Sequence, residues 1–287
     1  MNKIAVAPTR SERVEVSPGI GLHVSDWGQG RPIVLIHGWP FSNDVYDYQM
    51  AELAEKGFRA ISISLRGFGK SDRPWGTYDY DVYADDLEAI LNQLDLNDTT
   101  LGGHSMGGAI AIHYMARHKE SRVAKLVLFG AAAPVWTKRE DYPYGMQRSE
   151  ADALIRAVDT DRPQLLTDFG KIFGLTETSL NPGLTAWLHS IGMQASPYAM
   201  AQSLVALRDT DLRPELAMIS VPTAIFHAVG DKICPYSFAE ELAKGINNAK
   251  MIRMIRFEKS GHGLFLEEKE KFNFELIKFV SEDLETV

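Results

Sequence analysis

The sequence predicts an α/β fold: a mostly parallel sheet with helices on both faces, interrupted by an inserted α-helical cap. Three observations carry that prediction. Short apolar runs, the signature of strands buried on both faces, alternate with helical patterns along most of the chain. One block, 134–213, breaks the alternation, with helical patches and no convincing strand. Between a strand-like segment and a proline-free, Ala- and Ile-rich stretch lies Gly103-His104-Ser105-Met106-Gly107, a G-x-S-x-G. At 287 residues the chain is long for one simple domain and short for two full ones, which suits a core with a large insertion. The expected division is a core of 1–133 and 214–287 and a cap of 134–213.

Taken in order, Val14–Val16 and Leu22–Val24 flank Ser17-Pro18-Gly19 and form an opening hairpin. Ile33–Ile36 is a continuous apolar run, a parallel strand that ends in His37-Gly38-Trp39-Pro40. A helix begins at Ser42/Asn43 and closes at Gly57, followed by strand Arg59–Ile63. Tyr83, Leu87, Ile90, Leu91 and Leu94 then share one helical face. Thr99–Gly102 leads into the G-x-S-x-G and its helix, and strand Lys125–Phe129 follows. In the inserted block the helical patches are 150–157, 164–173, 184–194 and 198–207, with Pro163, Pro182 and Pro197 near starts, where a missing N–H leaves nothing unsatisfied. The core resumes with strand Thr223–His227, a helix opening on a Ser237/Glu240 capping box, strand Met251–Ile255, and a last helix carrying Phe265, Phe272, Leu276 and Phe279 on one face.

Composition bounds the function classes. Hydrophobic content of 45% and charged content of 24% are those of a globular protein. A net charge of −8 argues against a nucleic-acid partner. The lone cysteine, Cys234, cannot form an internal disulfide and suits a reducing cytoplasm. Met1–Pro8 has no apolar run long enough for a signal peptide, and the apolar stretch 124–136, broken by Lys125 and Pro134, falls short of a membrane span. The expectation is a cytoplasmic protein with no membrane association.

The chemistry starts at Ser105. A strand turning sharply into a helix at a serine holds it in a strained backbone, aimed off the sheet's edge. Glycines two before and two after are needed because a Cβ there would strike the neighbouring strand or helix. Reactive groups of α/β sheets collect beyond the carboxyl ends of the strands. Strand Thr223–His227 runs into Gly230-Asp231, and strand Met251–Ile255 is followed by Ser260-Gly261-His262. Gly130–Ala133, after the strand before the cap, offers no rival carboxylate, so the acid is Asp231. In the triad Ser105, Asp231 and His262, the imidazole takes the serine's proton and the carboxylate fixes its tautomer. The N–H of Met106, at a helix start, is an oxyanion donor.

These residues identify a resemblance to the α/β-hydrolases, most closely to the non-haem chloroperoxidase, arylesterase and perhydrolase branch. It is carried by His37–Pro40, Arg66–Asp72 with Pro74, Gly103–Gly108, Gly230–Pro235 and His262-Gly263. The resemblance implies that the N–H of Trp39 is the second oxyanion donor, and that Trp39, Trp136 and Ile233 line the substrate pocket. It also implies a small ester or lactone substrate and no cofactor. Two departures bear on it. Gly102 stands where relatives carry a β-branched residue, which predicts a looser strand, and Ser260-Gly261 replaces a more usual Ala-Pro.

Other groups read more plainly. His37 and His104 flank the site and orient loops, and His23, His113, His118 and His189 lack metal-ligand spacing, so no metal is expected. Gly69-Lys70-Ser71 looks like the end of a phosphate loop, but Ser64 stands where glycine is needed and Asp72-Arg73-Pro74 follows instead of a helix. Cys234 is an inert filler, and Phe169, Phe173, Trp187 and Met193 of the cap are assigned to core. The function expected is hydrolysis of small carboxylic esters through an acyl-enzyme. The rivals are perhydrolysis with apparent haloperoxidase activity, hydrolysis of an activated C–C bond, and ligand sensing without turnover. Haloalkane dehalogenase and epoxide hydrolase chemistry is disfavoured, because it needs a carboxylate at position 105. Oligomeric state is left open, a homo-oligomer included.

Overall fold

Apolar residues alternate between two packed layers along each central strand, which is why those strands read as unbroken apolar runs. In a computed structural model describing residues 10–282, Val34 and Ile36 join one core cluster while Ile33 and Leu35 join the other. Met1–Pro8, read for a signal peptide, lies outside the described residues, as do the outermost ends of the core segments 1–133 and 214–287.

The strands are β1 (Arg13–Ser17), β2 (Ile20–Gly28), β3 (Pro32–Ile36), β4 (Arg59–Ile63), β5 (Thr99–His104), β6 (Val123–Phe129), β7 (Thr223–Ala228) and β8 (Ile252–Phe257). They form one eight-stranded sheet in the order β1-β2-β4-β3-β5-β6-β7-β8. The β1–β2 hairpin turns at Pro18-Gly19 and joins β4 antiparallel; from β4 onward every pairing is parallel. Helices α2 (Tyr80–Gln93), α3 (Met106–Arg117) and α8 (Ser237–Gly245) cover one face. The other carries α1 (Asp47–Glu55) and α10 (Lys269–Ser281). α1 follows a 3-10 turn, Asn43–Tyr46, whose start is capped by the Ser42 side chain.

Gly102 does not loosen β5. The strand pairs with both neighbours through this residue, and a Cβ there would lie 2.8 Å from Leu35 Cδ2, so the side chain of β3 fills the space a branched residue would take.

Between β6 and β7 the chain carries α4 (Arg148–Phe173), α5 (Pro182–Met193), α6 (Pro197–Asp209) and the short α7 (Arg213–Leu216); the only strand-like features there, among the described residues, are isolated bridges such as Val135–Asp211. The helical patches expected at 150–157 and 164–173 are two halves of α4, kinked at Asp161 (φ −154, ψ 74). Asp161 Oδ1 accepts from the N–H of Gln164 at 3.1 Å, capping the second half, and Pro163 sits in its first turn. Pro182 and Pro197 open α5 and α6.

Three expectations need correction. The last helix is two: α9 (Leu264–Glu267), which carries Phe265, and α10, separated by non-helical Glu268 (φ −113, ψ 45). Ser237 is the first residue of α8 rather than its cap, and Tyr236 before it makes no side-chain capping bond. β8 begins and ends later than the apolar pattern suggested, because an edge strand half in solvent tolerates Arg253 and Arg256 in its ladder. Among the described residues no helix is long and apolar enough to cross a membrane.

Candidate active site

Ser105 caps α3 at φ 54, ψ −119, a left-handed conformation that costs about 1–3 kcal/mol for a non-glycine residue and must be held by its surroundings. Its N–H donates to Phe129 O (3.2 Å), and its carbonyl accepts from Gly108, Ala109 and Ala132 (2.9, 3.2 and 3.0 Å). The flanking glycines allow the close approach. A Cβ on Gly103 would lie 2.3 Å from Gly107 O, and one on Gly107 would lie 2.3 Å from Ile36 O at the end of β3.

Asp231 follows β7. Its Oδ1 accepts from the N–H groups of Ile233 and Cys234, both at 2.8 Å, which leaves Oδ2 to meet His262 Nδ1 at 2.7 Å. Both side chains of that pair are fully buried. The second ring nitrogen of His262, Nε2, is buried with no hydrogen-bond partner. The Ser105–His262 hydrogen bond expected from the sequence is therefore not formed. Catalytic hydrogen bonds commonly tighten only with substrate bound. Cys234 itself is buried, and burial pushes its thiol pKa well up, which keeps it a thiol.

The loop bearing His262 is held by residues the sequence did not single out. Glu267 accepts from Gly261 N–H (2.7 Å), and Glu268 accepts from Ser260 Oγ (2.7 Å) and Lys259 N–H (2.9 Å). Gly261 is required there, since its Cβ would lie 2.4 Å from the Gly174 carbonyl carbon. An acidic pair five and six residues after a histidine was the available signal.

Both flanking histidines orient the site. His37 Nε2 accepts from Leu65 N–H (3.0 Å) and Nδ1 donates to Gly38 O (2.9 Å), tying the loop after β3 to the loop after β4. Burial pushes its pKa down to about 4, so the ring is neutral near pH 7. His104 Nε2 donates to His262 O (3.0 Å), its ring lies 4.5 Å from that of His262, and burial drives its pKa well below the usual range. Behind the acid, His227 donates to Cys234 O (2.8 Å) and stands 3.8 Å from Asp231 Oδ2. Of the remaining histidines, His113 bridges Glu215 and Asp81, and His118 meets Asp85.

The loop after β3 abuts the serine: a Cβ on Gly38 would lie 2.7 Å from Ser105 Cβ. Among the described residues neither the N–H of Trp39 nor that of Met106 donates to a protein acceptor. Trp39 itself is anchored by its indole N–H, which donates to Met200 O (3.2 Å).

Ser105 opens into a cavity of about 280 Å³ that also contains Trp39, Trp136 and Ile233. Its outer wall comes from the inserted helices, with Leu165 and Phe169 of α4 and Leu204 of α6 among its lining. Phe169, assigned to core from the sequence, thus faces the site, whereas Phe173 and Trp187 do not line this cavity. A larger cavity, about 640 Å³, lies on the opposite side of α4 and contains none of the reactive groups. The smaller one, lined by Ser105, is therefore the candidate site despite its size.

A strained serine at a strand–helix turn, with a buried acid–histidine pair supplied by later strands in that chain order, defines an α/β hydrolase. The chain belongs to the α/β-hydrolase fold family, whose model matches residues 31–269. It is 48% identical over 266 residues to the AB hydrolase superfamily protein YisY of Bacillus subtilis (strain 168), covering 93% of this chain and 97% of that protein. A non-heme haloperoxidase of Rhodococcus erythropolis is 34% identical over 271 residues, covering 93% and 98%. Among solved structures, the esterase EaEST from Exiguobacterium antarcticum superposes with a TM-score of 0.91 at 44% identity, over 95% of this chain and all of that one.

Proposed function

We propose that this chain is a serine hydrolase of small carboxylic esters, aryl esters and lactones included, working through an acyl-enzyme. One observation carries the reading: the Asp231–His262 contact of 2.7 Å, fully buried, with Nε2 left unpartnered and His262 O bonded to His104, the residue before the strained serine. Asp231 holds the His262 Nδ1–H, so Nε2 is the basic nitrogen. Ser105 Oγ attacks the carbonyl carbon while Nε2 takes its proton. The N–H groups of Met106 and Trp39 stabilise the oxyanion. Collapse expels the alcohol, which receives that proton, and a water activated by the same nitrogen releases the acid. The inserted segment 134–213 acts as a cap on a core of 1–133 and 214–287, and residence is cytoplasmic.

The test is p-nitrophenyl acetate turnover by wild type and Ser105→Ala, with labelling of Ser105 by a phosphonofluoridate. Loss of both in the variant is expected; equal turnover refutes the serine's role. The haloperoxidase relative favours a second reading, in which hydrogen peroxide replaces water on the acyl-enzyme and yields a peracid that oxidises halide. Peroxide-dependent halogenation that needs both acetate and Ser105 would distinguish it.

A further inference from the structure

The cavity over Ser105 is almost wholly apolar. Apart from the serine, its charged lining consists of Lys232 and Asp168. Asp168 is occupied: it accepts from Lys171 Nζ at 2.7 Å and Gln164 Nε2 at 3.1 Å along its own helix. Lys232 is exposed, and among the described residues its ammonium has neither an ion-pair nor a hydrogen-bond partner. Its backbone is nevertheless held from both sides. It sits between Asp231, buried and held by His262, and Ile233, whose N–H binds Asp231 Oδ1. The ammonium is thus an unpaired cation on a held turn, lining the same apolar cavity as Ser105 and one residue from the proposed catalytic acid.

We propose that the substrate carries a second, free carboxylate, separated from the ester or lactone carbonyl by a short apolar spacer, and that Lys232 binds it. The inference deepens the ester-hydrolase reading and rests on it for the identity of the reacting bond. The protein's net charge of −8 repels an anion at long range, so selection for one needs a local cation. Lys171, already paired with Asp168, and Lys232, unpaired, are not equivalent in this respect. Asp168, which lines the same cavity, repels the anion and lowers its affinity.

The experiment compares half-esters with neutral esters of matched length. Mono-p-nitrophenyl esters of succinate, glutarate and adipate are set against p-nitrophenyl butyrate, valerate and caproate, in wild type, Lys232→Gln and Lys232→Arg. For one spacer length the ratio of kcat/KM, half-ester to neutral ester, should fall about fivefold in Lys232→Gln, recover in Lys232→Arg and fall in wild type with added salt. Asp168→Asn should raise it. Binding is read separately by calorimetry, using monomethyl and dimethyl glutarate on Ser105→Ala with and without Lys232→Gln, so the result stands even if Ser105 proves dispensable. Weaker binding of the monoester alone supports the assignment. Unchanged ratios and unchanged monoester affinity overturn it while leaving the hydrolase reading intact; absence of turnover of every ester in wild type overturns that reading instead.

Discussion

Gly107→Ala tests the packing that positions the reactive groups, because the added methyl has nowhere to go. Its Cβ would lie 2.3 Å from Ile36 O and 2.7 Å from His37 O, both backbone atoms. Normal separations are about 3.5 Å or more, so the start of α3 and the end of β3 must part by about 1 Å. Overpacking of this kind costs about 1–3 kcal/mol, and backbone cannot move aside as a flexible side chain can, which favours the upper end. In a chain of this size each kcal/mol lowers Tm by about 2–4 °C. The functional loss should exceed the stability loss: α3 starts at Met106 and β3 leads to Trp39, so the parting separates the two proposed oxyanion donors. A misplacement of about 1 Å costs roughly 100-fold in rate. The measurements are urea unfolding and kcat/KM on p-nitrophenyl acetate at a temperature where the variant is folded. Gly170→Ala is the control, since its Cβ meets nothing nearer than Thr185 Cγ2 at 3.9 Å and it sits inside α4. That change should stabilise by about 0.5–1 kcal/mol with activity retained. If Gly107→Ala unfolds and turns over like wild type, the contact between β3 and α3 is compliant and the steric account of the elbow fails.

Other perturbations test the site and its supports. Asp231→Asn keeps an acceptor for the Ile233 and Cys234 N–H groups but presents an amide to His262 Nδ1; kcat should drop on the order of 10³–10⁴-fold with KM little changed, and a drop below tenfold would refute the tautomer role. Arg66→Met strands Asp86 in the core, where the guanidinium now bonds it at 2.6 and 2.5 Å; urea unfolding should show a loss of about 3–5 kcal/mol, and a neutral result would mean the carboxyl protonates without penalty. Stability should fall as pH drops from about 6.5 towards 4. His37 titrates near 6.5 unfolded and at about 4 folded, so in that window the unfolded chain binds more protons, a loss of about 3 kcal/mol for this residue alone. His104 and His227, also lowered by burial, act in the same direction. His113 opposes them: burial lowers its pKa, but Glu215 and Asp81 raise it overall. A urea midpoint that is flat or rises between pH 7 and 5 would refute the balance.

Strands and the residues just past their ends were legible in the sequence for the same reason. A strand buried on both faces admits only apolar residues, so Ile33–Ile36 stands out, and where such a run stops the next residues lie at the sheet's edge. Asp231 and His262 could be located from strand ends without knowing any distance. The helix split at Glu268 was not legible, because Phe265, Phe272, Leu276 and Phe279 all face the core whether or not the backbone between them is continuous. Nor was the serine's rotamer. Spacing says which side chains collect at a rim, while whether the hydroxyl bonds His262 turns on side-chain geometry that residue order does not carry.

The inserted helices resisted reading for a different physical reason. A helix on a core has one buried stripe, and its period reveals which side faces in. The second half of α4 has apolar residues on two sides because it separates two cavities: Leu165, Phe169 and Ile172 face the one over Ser105, Leu166 and Phe173 the larger one, and Phe169 touches both. Its pattern is therefore broad, and Phe169 reads as core. The direction of that wall is set at Asp161, whose extended backbone tells nothing of the bend angle in the residue alphabet. The reactive groups follow from strand ends fixed by the sheet, whereas the shape presented to a substrate follows from one kink and the packing of α4 on α6. In the proposed reaction the bond broken is thus set locally around Ser105, Asp231 and His262, and the choice of molecule by tertiary contacts between helices far apart in the chain.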